Sequence, residues 1–279
     1  MYVQIDERIR EQLCEHNICS MYMGSHAHGL VNANSDIDVL WIYQEQESTL
    51  FSEDNGWQYK TSVADYNYQS LRTFIRNCIK GDSPAEFESL MGGWAFCTDD
   101  HNRIFADSNK VSEIFSILKT NRSYALLKSY LGYVKKDGNY ILKTLSDSTV
   151  HTKEICNRLS HMYRGIETVK ILMNNDEYVF CDGYASDVRW QTAWAYKNIV
   201  GLTTNADIIG IVNDLFIEYE NLKNKLNLML DNHTIVRRFD IEKLKQIESI
   251  YHSINQTAVY DFGDLNYNIT EKGLTHQYN

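Results

Sequence analysis

The chain has 279 residues, of which 43% are hydrophobic and 23% are charged, as in an ordinary globular protein. No apolar run comes near the roughly 18 residues needed to cross a bilayer, and the N-terminus lacks the apolar core of a secretory signal. We therefore expect a cytoplasmic protein with no membrane partner. The net charge of −10 argues against a broad electrostatic hold on nucleic acid, but it leaves room for a local basic groove.

The cysteines and histidines give no sign of a disulfide framework or a zinc site. Six cysteines are scattered along the chain without a CxxC pair, which predicts reduced and mostly buried thiols. His26 and His28 are the closest pair of histidines, and no Cys or carboxylate spacing nearby completes a zinc site. We therefore expect no structural zinc.

Helix and strand patterns alternate in the first third of the chain. Short apolar runs bounded by turn residues predict strands, and apolar residues at helical spacing predict helices. The sequence Ser83-Pro84-Ala85-Glu86 has the form of a capping box with proline in the first turn, which starts a helix. In chain order we expect a helix over 6–16, strands over 18–23, 38–43 and 57–65, a helix over 71–79 that ends at Gly81, and a helix from Ser83.

From about residue 110 onward the pattern is helical. Apolar stripes over 155–173, 208–229 and 241–251 each trace one face of a long helix, and such stripes pack into a core. The last twenty or so residues are polar and rich in turn residues, so we expect them to be poorly ordered. The sequence thus predicts an α+β fold, a small mixed sheet with helices followed by a helical region. The predicted division is a domain over 1–110, a helical domain over 111–260 and a polar tail over 261–279.

The end of the first predicted strand carries residues that suit phosphate binding. Gly24 permits a tight turn that a residue with a Cβ would resist. Ser25 then lies near the N-terminus of a short helix, where its hydroxyl and nearby backbone N–H groups are free to bind an anion. Gly24 and Ser25 are therefore candidate phosphate ligands.

The next strand begins with two carboxylates on one face. Asp36 and Asp38 alternate with Ile37 and Val39, which we expect to point into the core. Two like charges this close repel each other unless a cation lies between them, and Mg²⁺ bound by carboxylates and phosphates meets that need. Asp65, at the expected end of the third strand, is the candidate third carboxylate. It could be a metal ligand, a general base or only a cap for the following helix.

Each of these features alone has an ordinary structural explanation. A Gly-Ser pair is a common turn, and an Asp-x-Asp pair on a strand is more often a solvated face or part of a calcium loop. The combination favours catalysis: Gly24-Ser25, a spacing of about ten residues, and then Asp36-Ile37-Asp38-Val39 after an apolar strand.

This combination resembles the signature of the nucleotidyltransferase superfamily, hG[GS] followed some ten residues later by Dh[DE]h. More narrowly, GSHAHGLVNANSDIDVLWIY is similar to the RNA-repair-associated, RlaP-like nucleotidyltransferases of the DNA polymerase β superfamily. Tyr130-Leu131-Gly132-Tyr133 and His161-Met162-Tyr163-Arg164 resemble landmarks of the helical half of that group, which extends the likeness loosely to about residue 175. His26 departs from the group, where arginine is common, and the Lys-Gly turn before Ser83 carries one extra residue.

The resemblance implies transfer of an NMP unit from an NTP, with ATP favoured, to an acceptor hydroxyl with release of pyrophosphate. Asp36, Asp38 and Asp65 would hold two Mg²⁺ or Mn²⁺ ions. His28 would contact the donor or only cap the short helix. The candidate substrate-binding residues are Gly24, Ser25, His28, Ser35, Lys128 and Tyr133, with Tyr130, Lys135, Arg158 and Arg164 as further candidates in the helical half.

The acceptor is open at this level. The resemblance favours an RNA 3′ end, a partner protein or toxin is the second expectation, and a small molecule is the third. A non-catalytic NTP-binding regulator is an alternative of a different class. The presence of Asp36, Asp38 and Asp65 together favours an enzyme, because a non-catalytic protein has no need of clustered, mutually repelling carboxylates.

Overall fold

A computed structural model of the chain describes residues 17–28, 30, 35–44, 57–60, 64–82, 84–96, 108–147, 153–174, 188–199, 204–257, 260–262, 265–270 and 273–275. The helix predicted over 6–16 and Ser83 of the predicted capping box lie outside these ranges. Cys19, Cys78 and Cys156 lie inside them and are buried thiols, as predicted. None of the described helices is long and apolar enough to cross a bilayer.

A mixed five-stranded sheet, in the order β3-β4-β2-β1-β5, forms the centre of the N-terminal part. Its strands are β1 (Asn17–Tyr22), β2 (Ile37–Tyr43), β3 (Trp57–Lys60), β4 (Ala64–Ser70) and β5 (Trp94–Phe96). The pair β2–β4 is parallel, whereas β1–β2, β1–β5 and β3–β4 are antiparallel. The strands predicted over 18–23 and 38–43 are confirmed, whereas β5 was not predicted.

A strand lies within 57–65 as predicted, but it is β3, which ends at Lys60, so the predicted position of Asp65 at its end is wrong. A separate strand, β4, follows and pairs antiparallel with β3. Buried and partly buried residues alternate along β4 from Ala64 to Ser70. Asp65 is therefore the second residue of β4 rather than the end of a strand. The following helix is capped by Ser70, whose hydroxyl accepts a hydrogen bond from the Thr73 N–H at 3.1 Å, so the helix-cap alternative for Asp65 is wrong.

Nine helices lie within the described residues, and they include each of the helices predicted there. They are α1 (Gly24–Ala27), α2 (Leu71–Lys80), α3 (Pro84–Gly92), α4 (Ser108–Leu118), α5 (Tyr124–Asp147), α6 (Lys153–Asn174), α7 (Val188–Lys197), α8 (Asn205–Asp231) and α9 (Ile241–Thr257). The helix α2 ends as predicted at Gly81, which has the left-handed φ of 66° that glycine tolerates.

Two large apolar clusters hold these elements together. One packs α2, α4 and α9 against β1 and β2, and the other is built from α5, α6 and α8. The helix α3 joins them, because its Phe87 belongs to the helical cluster and its Leu90 to the sheet cluster. The domain boundaries near residues 110 and 260 remain a prediction.

The face of β2 that carries Asp38 is the more deeply buried one, contrary to the prediction. Leu40 and Ile42 share that face and are fully buried, because the helices of the sheet cluster cover it. Ile37 and Val39, which we expected in the core, are only partly buried against a small cluster of β4 residues on the other face. Asp38 therefore lies at one end of the covered face of the sheet.

The polar tail, which we expected to be poorly ordered, forms a second, three-stranded antiparallel sheet. Its strands are β6 (Tyr260–Phe262), β7 (Leu265–Thr270) and β8 (Gly273–Thr275). The alternation of apolar and polar residues over 265–270 is the strand pattern that explains this sheet. The predicted fold class is confirmed. The protein is α+β, with a small mixed sheet and helices followed by a helical region.

Candidate active site

The turn after β1 brings the backbone of Gly24 against the side chain of Asp38. Gly24 has a φ of 54°, which residues with a Cβ rarely adopt, and a Cβ placed there would lie 2.6 Å from Asp38 Oδ2. The Met23 N–H donates a hydrogen bond to the Asp38 carbonyl oxygen at 2.9 Å, which fixes the turn to β2. The glycine is therefore needed both for the turn and for the space that the carboxylate occupies.

Asp38 and Asp65 are neighbours on parallel strands. Their Cα positions are partners in the β2–β4 ladder, and Asp36 lies just before β2 begins. Burial raises the pKa of Asp38, and the charges of Asp65 and Asp36 raise it further. The three predicted carboxylates thus interact as one electrostatic cluster.

Lys60 neutralises part of this cluster from the neighbouring strand. Its Nζ lies 2.5 Å from Asp65 Oδ2, and the two residues are Cα partners in the β3–β4 ladder. The hydrogen bond to Asp65 raises the pKa of Lys60. Because the Lys60 side chain is 67% exposed, the ammonium group can leave the carboxylate for water at small cost.

The carboxylates suit a hard divalent cation in their donor chemistry. Oxygen ligands are those that Mg²⁺ prefers, and the Asp38 carboxylate occupies a space that a Cβ at Gly24 would fill. The described residues contain no preformed group of three or more His, Cys, Asp or Glu ligands. The residues therefore fit Mg²⁺ or Mn²⁺ on the condition that Lys60 releases Asp65.

A buried lysine from α7 holds both ends of the loop between α1 and β2. Lys197 Nζ donates hydrogen bonds to Ser25 Oγ at 2.6 Å and to Ser35 Oγ at 3.1 Å. It also donates to the Leu30 carbonyl oxygen at 2.8 Å. Burial lowers the pKa of Lys197, and the nearby charge of Arg164 lowers it further. Two predicted substrate ligands, Ser25 and Ser35, are thus tied to the same ammonium group.

A cavity of about 340 Å³, which we call the carboxylate cavity, opens between the sheet and the helical region. It is lined by Met23, Gly24, Asp38 and Asn67 from the sheet part, by Pro84, Ala85 and Glu88 from α3, and by Tyr130, Tyr133, Asp137, His161, Arg164 and Gly165 from α5 and α6. The helices α5 and α6 approach closely here, because a Cβ at Gly165 would lie 2.8 Å from Val134 Cγ2. A carboxylate on one wall and an arginine on the other suit a phosphorylated ligand that carries a cation.

Glu88 connects the two walls of this cavity through buried polar contacts. Its Oε2 accepts hydrogen bonds from His28 Nε2 at 3.0 Å and from Arg164 Nη2 at 3.3 Å. Burial lowers the pKa of His28 to about 4, with Arg164 adding to the effect and Glu88 opposing it. Burial alone would raise the pKa of Glu88, but Arg164 and His28 outweigh it and bring that pKa to about 2. At neutral pH His28 is therefore neutral and Glu88 is ionised.

A second set of contacts holds the helical wall. Asp137 Oδ1 accepts a hydrogen bond from Arg158 Nη1 at 2.6 Å, and His161 Nδ1 lies 3.7 Å from Asp137 Oδ2. Arg158 also contacts Glu154 and lies over the ring of Tyr140, 3.8 Å from its centroid. Arg158, a predicted candidate, is thus engaged within the helical region.

The structure brings most of the predicted residues near Asp38, with Lys128 the clear exception. His28 occupies the C-cap position of α1, and its buried side chain contacts Glu88. Tyr133 is 49% exposed at the carboxylate cavity. Lys128 lines a different cavity, and Lys135 is exposed. The roles of all these residues remain predictions.

Four residues of this region were not found from the sequence: Lys60, Glu88, Asp137 and Lys197. Glu88 and Asp137 are acids at largely buried helix positions, which a helical wheel would single out. Lys197 has no local signal, because it is 172 residues from Ser25 along the chain. Lys60 can be placed beside Asp65 only once β3 and β4 are recognised as a pair of strands.

Comparison with known proteins leaves the function to be argued from the site. No family model matches the chain, and no curated protein matches its sequence. Among solved structures, the chain is similar to the crystal structure of a nucleotidyltransferase-like protein from Exiguobacterium sibiricum 255-15. The sequence identity is 10% and the TM-score is 0.35, over 96% of this chain and 94% of that chain. A likeness at this level carries no argument about activity.

Proposed function

We propose that the chain is a metal-dependent nucleotidyltransferase, which moves an NMP unit from an NTP, with ATP favoured, to an acceptor hydroxyl. One observation carries the proposal. Asp38 and Asp65 are paired on adjacent parallel strands, and the Asp38 carboxylate lies against the Gly24 turn at a cavity faced by Arg164. Clustered carboxylates beside a glycine turn that can receive phosphate are what a metal-bound triphosphate requires.

The triphosphate would lie between the Gly24 turn and the helical wall. Lys197 already holds Ser25 Oγ at 2.6 Å, so that a positive charge lies beside a hydroxyl that can bind a phosphate oxygen. Arg164 lines the cavity, and its Nε is buried with no hydrogen-bond partner among the described residues. An oxygen of the NTP phosphates would accept a hydrogen bond from that N–H group. The exposed ring of Tyr133 offers a surface on which the base can stack.

Asp36, Asp38 and Asp65 would hold the Mg²⁺ or Mn²⁺ ions. Such ions, when bound, neutralise phosphate charge and stabilise the attacking and leaving oxygens of the displacement. The residues of the chain itself position the carboxylates. Gly24 leaves room for the Asp38 carboxylate, the β2–β4 ladder fixes Asp65 beside it, and Lys60 balances Asp65 in the absence of a cation.

The proposed reaction forms one P–O bond and breaks another. The acceptor hydroxyl oxygen attacks the α-phosphorus of the NTP, and the bond from that phosphorus to the bridging oxygen of the β-phosphate breaks. Pyrophosphate leaves, and the hydroxyl proton passes to a carboxylate, for which Asp65 is the candidate, or to water. We propose an RNA end as the acceptor, with a partner protein as the alternative.

The test is pyrophosphate release from each of the four NTPs with Mg²⁺ or Mn²⁺, with and without labelled RNA. Asp38→Asn preserves the shape of the side chain but removes its charge, so release should fall on the order of 10²–10³-fold. The matched control is Asp214→Asn, which changes an exposed aspartate on α8 and should keep full activity. Release that is equal in both variants would overturn the proposal.

One observation favours a second candidate, a non-catalytic NTP-binding regulator. Lys60 already pairs with Asp65, and a protein that only binds NTP needs no free third carboxylate. The two candidates differ in their response to Lys60→Ala. An enzyme should keep or increase its metal-dependent turnover when Asp65 is released, whereas a regulator should bind NTP without turnover in both forms.

A further inference from the structure

A second cavity, of about 530 Å³, lies outside the carboxylate cavity and is strongly cationic. Three cationic side chains, those of Lys128, Arg237 and Arg238, line it, and Asp82 is the acid among its lining residues. All three cationic residues are exposed. In a chain with a net charge of −10, such a local excess of positive charge is a feature that needs a function.

The two arginines are held on a fixed segment between α8 and α9. The Tyr124 N–H donates to the Val236 carbonyl oxygen at 2.9 Å, and the Ala125 N–H donates to the Arg237 carbonyl oxygen at 3.2 Å. Phe239, next in the chain, is buried in the sheet cluster. The backbone of this segment is therefore anchored on both sides, and the charges of Arg237 and Arg238 are placed at the start of α5.

Two chain segments contribute lining residues both to this cavity and to the carboxylate cavity. On α5, Ser129 lines the first cavity and Tyr130 lines the second. Near the start of α3, Asp82 lines the first cavity and Pro84 lines the second. The two cavities therefore take lining residues from neighbouring positions of the chain, and we call the lining of the cationic cavity together with the stretch of α5 up to Tyr133 the basic groove.

The exposed side of α5 carries lysines and tyrosines along the groove. The stretch over 124–136 contains no Asp or Glu. Lys128 lies over the ring of Tyr124, 5.8 Å from its centroid, and Lys136 lies over the ring of Tyr133 at 5.9 Å. At a rise of about 1.5 Å per residue, Lys128 is only about 7.5 Å along the helix from Tyr133. Cationic groups therefore alternate with aromatic rings along α5.

We propose that the basic groove binds single-stranded RNA and leads its end to the carboxylate cavity; this gives the RNA acceptor of the proposed function a binding site and rests on that function. Cationic side chains meet the phosphates of a single strand, and aromatic rings stack with its bases. An acidic protein segment would match the charges but would give the ring of Tyr124 no flat partner, whereas Tyr133 is assigned to the base of the NTP. The aromatic residues therefore favour a nucleic acid.

The test measures binding of a fluorescein-labelled RNA of about 12 nucleotides by anisotropy, without NTP, over a series of salt concentrations. The variants are Arg237→Ala/Arg238→Ala and, on a different element, Lys128→Ala. Each lost phosphate contact should weaken binding on the order of tenfold near 50 mM salt. The double variant should lower the slope of log K against log[salt] by about 1.4, since single strands give about 0.7 per contact.

The matched control is Arg72→Ala/Arg76→Ala, which removes two exposed arginines from α2, outside both cavities, and should change binding less than twofold. Asp38→Asn, measured in parallel, should keep RNA binding and lose NTP turnover. The RNA-binding assay therefore tests the groove proposal, and the turnover assay separately tests the proposed reaction. The groove proposal is overturned by undetectable RNA binding by the wild type, or by equal losses in the groove and control variants. It is also overturned if RNA binding is unchanged while the groove variants lose transfer to an added acidic protein, which would assign the groove to a protein acceptor.

Discussion

The Glu88→Gln substitution tests the link between the two walls of the carboxylate cavity. Glutamine keeps the size of the side chain and can still accept the hydrogen bond from His28, which is neutral. It removes the negative charge that faces Arg164 at 3.3 Å, where the arginine side chain is only 11% exposed. The variant therefore isolates the charge pair from the packing around it.

Two independent routes give the expected loss of stability. The pKa of Glu88 is about 2 against an ordinary value of 4.5, and about 1.4 kcal/mol per pKa unit makes the ionised carboxylate worth about 3 kcal/mol at neutral pH. Removal of one partner from a buried ion pair costs about 3–5 kcal/mol, because the other charge stays buried. We therefore expect the free energy of unfolding to fall by about 3 kcal/mol or more.

The assay is urea unfolding at pH 7, followed by circular dichroism. Because the folded pKa of Glu88 is depressed, its contribution is present above pH 4.5 and is lost as the pH falls toward 2, so the two proteins should converge in acid. The control is Glu154→Gln, which removes a 52% exposed partner of Arg158 and should cost less than about 1 kcal/mol. A loss in Glu88→Gln no larger than in this control would refute the idea that Glu88 balances the charge of Arg164.

Three further predictions concern neighbouring residues. Burial lowers the pKa of His28 to about 4, so the unfolded chain takes up a proton below pH 6.5 before the folded chain does. Urea unfolding should therefore show that the wild type loses about 2 kcal/mol more between pH 7 and pH 5 than His28→Asn does. Gly24→Ala should push the Asp38 carboxylate aside and lower pyrophosphate release about 10²-fold, while unfolding shows a loss of only about 1 kcal/mol. Lys197→Met should leave the Leu30 carbonyl oxygen without this donor, which costs about 1–3 kcal/mol in unfolding, and should weaken NTP binding in calorimetry.

The sheet side of the candidate site could be predicted from the sequence because its signals are local. Gly24 and Asp38 are separated by one short helix and a loop, and the strand of Asp38 is marked by its apolar, β-branched and aromatic residues. The predicted position of Asp65 was wrong because one strand was predicted where β3 and the start of β4 lie. With β4 as a separate strand, Asp65 is the ladder partner of Asp38 on β2. The two aspartates are therefore closer together than the predicted position of Asp65 at a strand end implies.

The helical side could not be predicted because its contacts join distant parts of the chain. Glu88 meets Arg164 76 residues later, and Lys197 meets Ser35 162 residues earlier. A helical stripe shows which face of α6 or α7 is buried, but it does not show which polar group on that face meets a partner. Such partners depend on how helices pack, which no local pattern records.

The arrangement of charge would allow an acidic protein to bind the anionic substrate that we propose. The carboxylates Asp36, Asp38 and Asp65 belong to the sheet part, whereas Arg164 and Lys197 come from the helical region. Neither part alone carries the groups that a metal-bound triphosphate needs, so the proposed site exists only while the two parts are held together. The helix α3 does this by packing into both apolar clusters, and Glu88 on α3 adds the contacts to His28 and Arg164. A variant that weakens this helix should therefore lower stability and nucleotide affinity together, which a site built on one part alone would not do.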